Sequence, residues 1–215
     1  MPTINFSKVN WFYSDFQIGE LRKYLDTVET LLKKELDEFR QRVDAAAKSI
    51  DNPKERDEYY EFHSDDYWRL DESFVRMVRN SFFVMCLSFV EDKLENICDN
   101  LKNEHKKKLG WRDIRGDVWD KANLYIETLT GEAPKSIKVW EKIKTHQKLR
   151  NCIVHENGKL QDEDLMRYAL KEGILPPGEK NLFLTNGYCT QCLADLRTFL
   201  KELYDLLDKQ KHLAQ

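Results

Sequence analysis

Glycine and proline are scarce in this sequence, with eight and five of 215 residues respectively. Because these residues cluster, the long stretches between them keep a helical spacing of apolar side chains. Alternating runs of isoleucine and valine, which are typical of strands, are nearly absent. We therefore predict an all-α protein, an up-and-down helical bundle of four to six helices. The sequence also lacks a phosphate-binding glycine loop, a dinucleotide-binding motif, internal repeats and low-complexity tracts.

Long hydrophobic runs are missing as well. The longest near-apolar run, residues 82–90, is interrupted by Ser88 and is too short to cross a bilayer. The N-terminus shows no basic region followed by an apolar stretch, so no signal peptide is expected. With 41% hydrophobic and 34% charged residues, the composition is not that of a disordered chain. We expect a cytoplasmic protein with no membrane association.

Charge of one sign is not in excess, because the formal net charge is only −3. A protein that coats duplex nucleic acid is usually strongly basic, so this balance counts against that class. It does not exclude an enzyme with a local basic pocket. The five cysteines are an odd number and fit small core residues in a reducing compartment. Cys189 and Cys192 have zinc-ligand spacing, but no second pair exists, so we expect neither metal nor cofactor.

Apolar residues at helical spacing predict helices over five stretches. These are residues 15–50, 70–106, 118–129, 134–155 and 188–213. Pro53 should end the first helix, and Gly131 and Gly158 should end the third and fourth. Thr185 or Asn186 should cap the last helix. The acidic, aromatic stretch after the first helix is not assigned, and the region between Gly158 and Thr185 is predicted as a loop with short extended pieces.

The chain divides into residues 1–69, a long helix and acidic connector that packs on the bundle, and residues 70–215, the bundle that carries the motif below. We expect one structural domain. The first helix could form a coiled-coil seam, but its pattern breaks at Glu35, which favours a bundle helix. A coiled-coil scaffold remains an alternative and predicts an elongated particle. Residues 82–90 are apolar nearly all round, which indicates a central helix or one covered by a second subunit.

The fourth predicted helix carries the strongest candidate for chemistry. From Pro134 to His155 it has six cations and one anion, a local charge of +5 on a chain of net charge −3. The charged residues are Lys135, Lys138, Glu141, Lys142, Lys144, Lys148 and Arg150. A basic helix that ends in a histidine suits a polyanion. The alternative is a solvated helix face with lysines toward the C-terminus, where the helix dipole favours them.

Within this helix, four residues separate Arg150 from His155. Asn151 and His155 are one turn apart and share a face, whereas Arg150 lies about 140° round the helix from His155. The arginine must therefore curl back, or a second copy of the chain must complete the site. An isolated Arg-x4-His pair arises readily by chance, so its surroundings decide its meaning.

Residues 140–143 and 149–158 closely resemble the signature of HEPN proteins. In that signature an arginine, often followed by a polar residue, precedes a histidine by four to six residues, and Asn151 fills the polar position. The stretch 88–98 resembles the family's preceding core helix, which often carries an acidic residue, and Glu91 is the nearest match. The resemblance covers about residues 70–207.

The resemblance implies a helical bundle that dimerises, with motif residues of both subunits in one cleft. Active members are typically metal-independent RNA endonucleases, and many are toxins of toxin–antitoxin pairs or effectors of antiviral defence. It thus implies RNA as substrate, a homodimer with a composite active site, and an antitoxin or defence partner protein. Other members have lost catalysis, so a non-catalytic RNA- or protein-binding dimerisation module is the alternative.

The residue types fit such chemistry. A histidine, with an ordinary pKa of about 6.5, can take the proton of a 2′-hydroxyl or protonate a leaving 5′-oxygen, and a dimer supplies two copies of His155. Arg150 can hold the phosphate and offset its charge, while Asn151 can position the phosphate or orient the imidazole. The expected products are a 2′,3′-cyclic phosphate and a 5′-hydroxyl. We expect support from Glu91, Lys148 and His146, and RNA contacts from Lys138, Lys142 and Lys144.

Overall fold

The computed structural model describes residues 6–213, and the side chains of residues 9–209. In this range the α-helices are α1 (Phe6–Ala47), α2 (Pro53–Phe62), α3 (Ser64–Trp68), α4 (Phe74–Glu104), α5 (Val118–Thr130), α6 (Trp140–Glu156), α7 (Glu163–Lys171) and α8 (Asn186–Leu213). The described range has no strand, only an isolated antiparallel bridge between Lys159 and Asn181. The prediction of an all-α helical bundle is confirmed. The helices outnumber the expected four to six because three of them are short.

Helix α1 begins at Phe6, nine residues before the predicted start. The earlier start of α1 agrees with its buried residues, because Ser14 and Ile18 are buried in the same row as Leu25 and Val43. Helical spacing therefore continues through the aromatic N-terminal segment. This stripe packs on α8 and α4, so the first helix is a member of the bundle, as the break at position 35 indicates.

The unassigned stretch after α1 is helical. Asn52 caps α2, because its side-chain oxygen accepts from the Lys54 amide at 3.0 Å. Pro53 follows at the first helical position, where a missing N–H does no harm. Helix α2 lies beside the C-terminal part of α1, where the Tyr60 hydroxyl donates to Asp44 at 3.2 Å. Helix α1 ends at Ala47, three residues before the predicted end and ahead of Pro53, and this proline begins α2.

Helix α4 is the centre of the bundle. It packs against α1, α5, α6 and α8, and its Phe82, Phe83 and Leu87 are buried. A π-helical turn, Arg69–Ser73, precedes it, so helical backbone runs without a break through Ser64–Glu104. By length and composition alone this stretch is apolar enough to cross a membrane. Of its most apolar 18 residues 28% are buried in the bundle, and the core helix of a soluble protein can have the same composition.

Helix α5 follows its prediction to within one residue. Asp117 caps its start by accepting from the Asp120 amide at 2.9 Å, and Gly131 ends it in the left-handed conformation with φ 77°. The indole of Trp119 is fully buried between Trp140 of α6 and Phe199 of α8. This tryptophan therefore ties α5 to the two helices beside it.

The region before α8 contains a helix that the sequence analysis missed, α7. Asp162 caps it by accepting from the Leu165 amide at 2.8 Å, and Leu165 and Ala169 are buried. The helix is nine residues long and buries only this short apolar row, which is too brief a pattern to stand out. The residues that follow form turns and irregular loop in place of the expected extended pieces, and the Phe183 amide donates to the Ile174 carbonyl at 2.8 Å.

Helix α8 closes the bundle. Its start is capped by Thr185, whose hydroxyl accepts from the Tyr188 amide at 3.1 Å, which confirms one of the two predicted caps. One hydrophobic cluster includes Ile18 of α1, Phe199 of α8 and buried residues of α4 to α7. The long first helix therefore shares its core with the part of the chain that carries the motif.

All five cysteines are free and buried. Burial raises the pKa of Cys98 and Cys189 to about 12 and that of Cys152 to about 11. Thiols with such pKa values stay protonated at neutral pH and are poor nucleophiles. Cys192 is also fully buried, so the pair that it forms with Cys189 belongs to the core.

We expect Asp162→Ala to lower the free energy of unfolding by about 1 kcal/mol, because the Leu165 amide would lose its capping acceptor. Urea denaturation followed by circular dichroism measures the change. The exposed neighbour Gln161 provides a matched control, and Gln161→Ala should leave stability unchanged. Equal stability of the two variants would show that the cap contributes nothing.

Candidate functional site

Helix α6 carries the Arg-x4-His motif in its last two turns. It begins at Trp140 and not at Pro134, because a 3₁₀ turn, Pro134–Ser136, comes first. It ends at Asn157, which is left-handed with φ 52°, and the Gly158 amide donates back to the Cys152 carbonyl at 3.0 Å. A left-handed residue followed by this hydrogen bond is a common way for a helix to end, and it confirms the helix end predicted at Gly158.

His146 is the buried histidine of α6, with no exposed surface. Its Nε2 lies 3.1 Å from Asp195 Oδ2, and its Nδ1 lies 3.0 Å from the Tyr188 hydroxyl. Since a carboxylate only accepts, we assign the proton to Nε2, and Nδ1 then accepts from Tyr188. The Tyr168 hydroxyl lies 3.3 Å from that of Tyr188. RNA therefore cannot touch His146, and any support that it gives the motif acts through the position of α6.

Asp195 is held by two further groups. Lys142 Nζ lies 2.8 Å from its Oδ2, and Gln191 Nε2 donates to its Oδ1 at 2.9 Å. Burial alone would raise the pKa of Asp195, but the hydrogen bonds from His146, Lys142 and Gln191 outweigh it and lower the pKa. Burial would lower the pKa of Lys142, but its bond to Asp195 outweighs that effect and raises it. Both groups are therefore charged at neutral pH.

His155 lies on the opposite side of α6 from His146. Nine residues at about 100° each turn the helix by two and a half turns, so burying one histidine points the other outward. His155 is exposed, as are Asn151 and Lys148. In the described part of the chain, nothing forms a hydrogen bond or ion pair with the His155 side chain. Both of its ring nitrogens are available to a ligand.

Arg150 is held beside this face by Glu91 of α4. Its Nη2 lies 3.4 Å from Glu91 Oε2, and its Nη1 donates to Asn151 Oδ1 at 3.0 Å. The other Glu91 oxygen accepts from Trp119 Nε1 at 3.0 Å. The Arg150 and Glu91 side chains are 23% and 17% exposed, so the pair is largely shielded from water. Arg150 Nε is buried and has no partner among the described residues.

The lysines of the basic helix differ in how they are placed. Lys144 Nζ lies 3.2 Å from Asp117 and 3.0 Å from Asp120, both at the start of α5. Lys142 is paired with Asp195, so these two candidates for RNA contact are paired within the subunit. Lys138, which precedes α6, and Lys148 are exposed, and neither has an ion-pair partner in the described residues. The local charge of +5 therefore overstates what the surface presents, because the compensating acids come from other helices.

A cleft of about 720 Å³ lies elsewhere, between α1, the start of α4 and the loop before α8. Its lining includes the cations Lys33, Arg76 and Arg79 and the acids Glu29, Asp71, Glu72 and Glu179. Arg79 and Glu29 form an ion pair at 2.6 Å. Since the four acids outnumber the three cations, this cleft offers no net attraction to a polyanion, and the motif residues do not line it.

Sequence reasoning missed three side chains, namely Tyr188 and Asp195, which bond to His146 of α6, and Trp119, which bonds to Glu91 of α4. Their partners lie 28 to 49 residues away along the chain, so no local pattern connects them. One signal was available. Asp195 stands between Cys192 and Leu196 on the inward face of α8, and a charged residue on an apolar face is usually paired.

Comparisons of the chain with protein-family models, with curated proteins and with solved structures found no match. Among residues 6–213, no group of three or more His, Cys, Asp or Glu side chains is placed to hold a metal ion. A functional assignment must therefore rest on the motif in α6, its resemblance to a known signature and its immediate neighbours.

We expect His146→Ala to lower the free energy of unfolding by about 3 kcal/mol, because Asp195 and Tyr188 would keep buried polar atoms without this partner. Chemical denaturation of the purified variant measures the loss. His155→Ala is the matched control on the same helix and should change stability by no more than about 0.5 kcal/mol, since its side chain is exposed. Similar stabilities for both variants would contradict the assigned network.

We also expect Asp195 to make stability depend on pH. Its pKa in the folded state is lowered, so it stabilises the fold above the unfolded value of about 3.9, and this contribution is lost as pH falls through the folded pKa. Asp195→Asn should therefore be less stable than the wild type at pH 7. The difference should shrink as pH falls below about 4, the ordinary value for aspartate. Free energies of unfolding measured across this range test it, and a pH-independent difference would contradict it.

Proposed function

We propose that this chain is an endoribonuclease of the HEPN type, which cleaves single-stranded RNA without a metal ion as a homodimer with a composite active site. One observation carries the proposal. The last turns of α6 expose His155 and Asn151 side by side, while Arg150 is positioned next to them by Glu91. An accessible histidine, a polar neighbour and a fixed arginine are the groups that this chemistry needs.

The reaction follows from these groups. One His155 takes the proton of the ribose 2′-hydroxyl, whose oxygen then attacks the adjacent phosphorus. As the new bond forms, the bond from phosphorus to the 5′-oxygen breaks, and a second, protonated histidine gives its proton to that oxygen. The products are a 2′,3′-cyclic phosphate and a 5′-hydroxyl. General acid–base catalysis of this kind contributes a factor of about 10² to 10⁴ in rate.

Two copies of α6 supply what one copy lacks. A single imidazole cannot act as base and acid in the same step, and Arg150 lies about 140° round the helix from His155. Two α6 helices that meet across a dyad would face each other with their exposed residues, which include Lys148 and Asn151. Lys148 and Lys138 would then contact the RNA backbone as point charges.

The pairing of Arg150 with Glu91 also favours a second function, a non-catalytic HEPN-like module that binds RNA or protein and dimerises. A carboxylate on the guanidinium offsets the charge that a phosphate would need, and Lys142 and Lys144 are offset by other acids. Both functions place the protein in the cytoplasm, in a toxin–antitoxin or antiviral defence context with a partner protein that restrains it. They differ in whether the bound RNA is cut.

Incubation of the purified protein with single-stranded RNA in EDTA tests the catalytic proposal. We expect the wild type to cleave the RNA, and His155→Ala to lose at least about 100-fold in rate because the acid–base group is gone. Arg150→Ala should fall by a similar factor, since the phosphate would lose its cation. Cleaved 3′-ends should carry a cyclic phosphate, and the new 5′-ends should accept phosphate from a polynucleotide kinase.

The matched control is His105→Ala, which removes an exposed histidine at the C-terminus of α4, away from the motif. It should retain wild-type cleavage. Equal loss in His105→Ala and His155→Ala would point to general damage, and full cleavage by both variants would point to a contaminating nuclease. A folded wild-type protein that cleaves none of a varied set of RNAs would exclude the enzyme, and RNA binding that requires Lys148 would then favour the module.

A further inference from the structure

Helix α1 has a second apolar stripe on the face turned away from the bundle. Its members are Val9, Phe12, Tyr13, Phe16, Tyr24 and Leu31, and they are 38% to 67% exposed. At about 100° per residue this stripe lies nearly opposite the buried row of Ile18 and Leu25. Single exposed apolar residues are ordinary, but a stripe of six on one helix indicates a surface that binds another molecule.

The spacing of this outer face is symmetric. Positions 9, 13, 16, 20, 24, 27 and 31 are all exposed, and the steps between them are four, three, four, four, three and four. The order is the same in both directions from Glu20. Each half spans eleven residues, a repeat of about 3.67 residues per turn, so a nearly straight helix keeps the whole row on one side.

From this symmetry we propose that the outer face of α1 binds a second copy of the chain, with the two α1 helices antiparallel and the two-fold axis at Glu20. In this register Phe16 lies opposite Tyr24 of the second copy, and Val9 lies opposite its Leu31. A two-fold interface joins the same patch on both subunits, which requires a surface that is complementary to itself. Other exposed rows on α1 have the same spacing, but about Glu20 the reversal pairs Val9 with Leu31 and Phe16 with Tyr24, apolar with apolar, and so meets that requirement.

At the proposed axis the two Glu20 carboxylates face each other, and the Lys23 side chains beside them offset this like charge. Glu20 and Lys23 form an ion pair at 2.7 Å, and both side chains are at least half exposed. In the antiparallel register, Lys23 of one copy lies one turn from Glu20 of the other, so the two pairs can exchange partners across the axis. The nearby Arg22 and Asp26 are paired with each other. This balance of charge is unlike the cationic flank of a helix that binds anionic membranes.

The exposed area is large enough for an interface. Phe12, Tyr13, Phe16 and Tyr24 leave roughly 500 Å² uncovered, from their exposed fractions and about 200 Å² for each aromatic side chain. Val9, Leu31 and the polar residues between them extend the surface toward the roughly 800 Å² that each partner contributes to a stable complex. Phe12 and Tyr13 are also in edge-to-face contact at 5.9 Å, which gives this part of the surface a defined shape.

This interface is separate from the one proposed for the active site. Helices α1 and α6 both pack on α4 and α8 and have no substantial contact with each other. Dimerisation through α1 therefore does not rest on ribonuclease activity. If α6 also pairs, the two dyads together make a tetramer or a longer assembly.

Light scattering after size exclusion tests the interface in the full chain at about 50 µM, a concentration at which a contact of ordinary affinity is occupied. We expect Phe16→Glu to halve the particle mass, because it places two carboxylates in the apolar contact. Phe62→Glu is the matched control, since Phe62 is 79% exposed but lies on α2, and it should leave the mass unchanged. A monomeric wild type, or an unchanged mass in Phe16→Glu, overturns the proposal, and so does a monomer that binds lipid vesicles through this face.

Crosslinking tests the register and distinguishes this interface from one at α6. The native cysteines are all buried, so a disulfide between two copies can form only through the introduced, exposed cysteine. Under mild oxidation Glu20→Cys should give a covalent dimer, because each copy lies opposite its own equivalent at the axis. Asp37→Cys, exposed on the same helix but beyond the row, should remain monomeric. A dimer that forms equally with both variants, or with neither, contradicts the antiparallel register, whether or not the protein cleaves RNA.

Discussion

The burial of His146 against Asp195 and Tyr188 fixes the rotation of α6 in the bundle, and the candidate site depends on that rotation. A buried polar side chain is expensive unless its hydrogen bonds are made, so only a narrow range of helix orientations satisfies both imidazole nitrogens. Because His155 follows nine residues later, the same rotation directs it outward. The histidine that no ligand can reach thus decides where the accessible one points.

The apolar face of α4 sets the second constraint. Phe82, Phe83 and Leu87 are buried within about 140° of the helix surface, which α4 presents to α1, α5, α6 and α8. These neighbours bring their own polar groups to the junctions between helices. Glu91 is one result, because it lies where α4 meets both α5 and α6 and can bond to Trp119 and Arg150 at once. The position of the motif arginine is therefore a consequence of how the core is covered.

Features that depend on local sequence were predictable, and features that depend on distant partners were not. Both ends of α5 could be predicted closely because its capping aspartate and its terminal Gly131 are adjacent to it in sequence. Helix α7 escaped notice because its buried row is only one turn long. Helical periodicity alone predicted that His155 and Asn151 share one face of the helix. The neutralisation of Lys144 did not, since its acidic partners belong to α5 and only the fold brings them close.

The contact between Arg150 and Glu91 bears on how the site could work. A carboxylate holds a guanidinium in place but also competes with phosphate for it, so an arginine that serves RNA must be able to leave. Glu91 contacts Arg150 at 3.4 Å and accepts from Trp119 at 3.0 Å, so it keeps the shorter of its two hydrogen bonds if the arginine moves. Arg150 Nε, buried without a partner, gains an acceptor if the guanidinium turns toward a phosphate. Glu91 therefore sets the position of Arg150 beside Asn151, while Trp119 sets the position of Glu91.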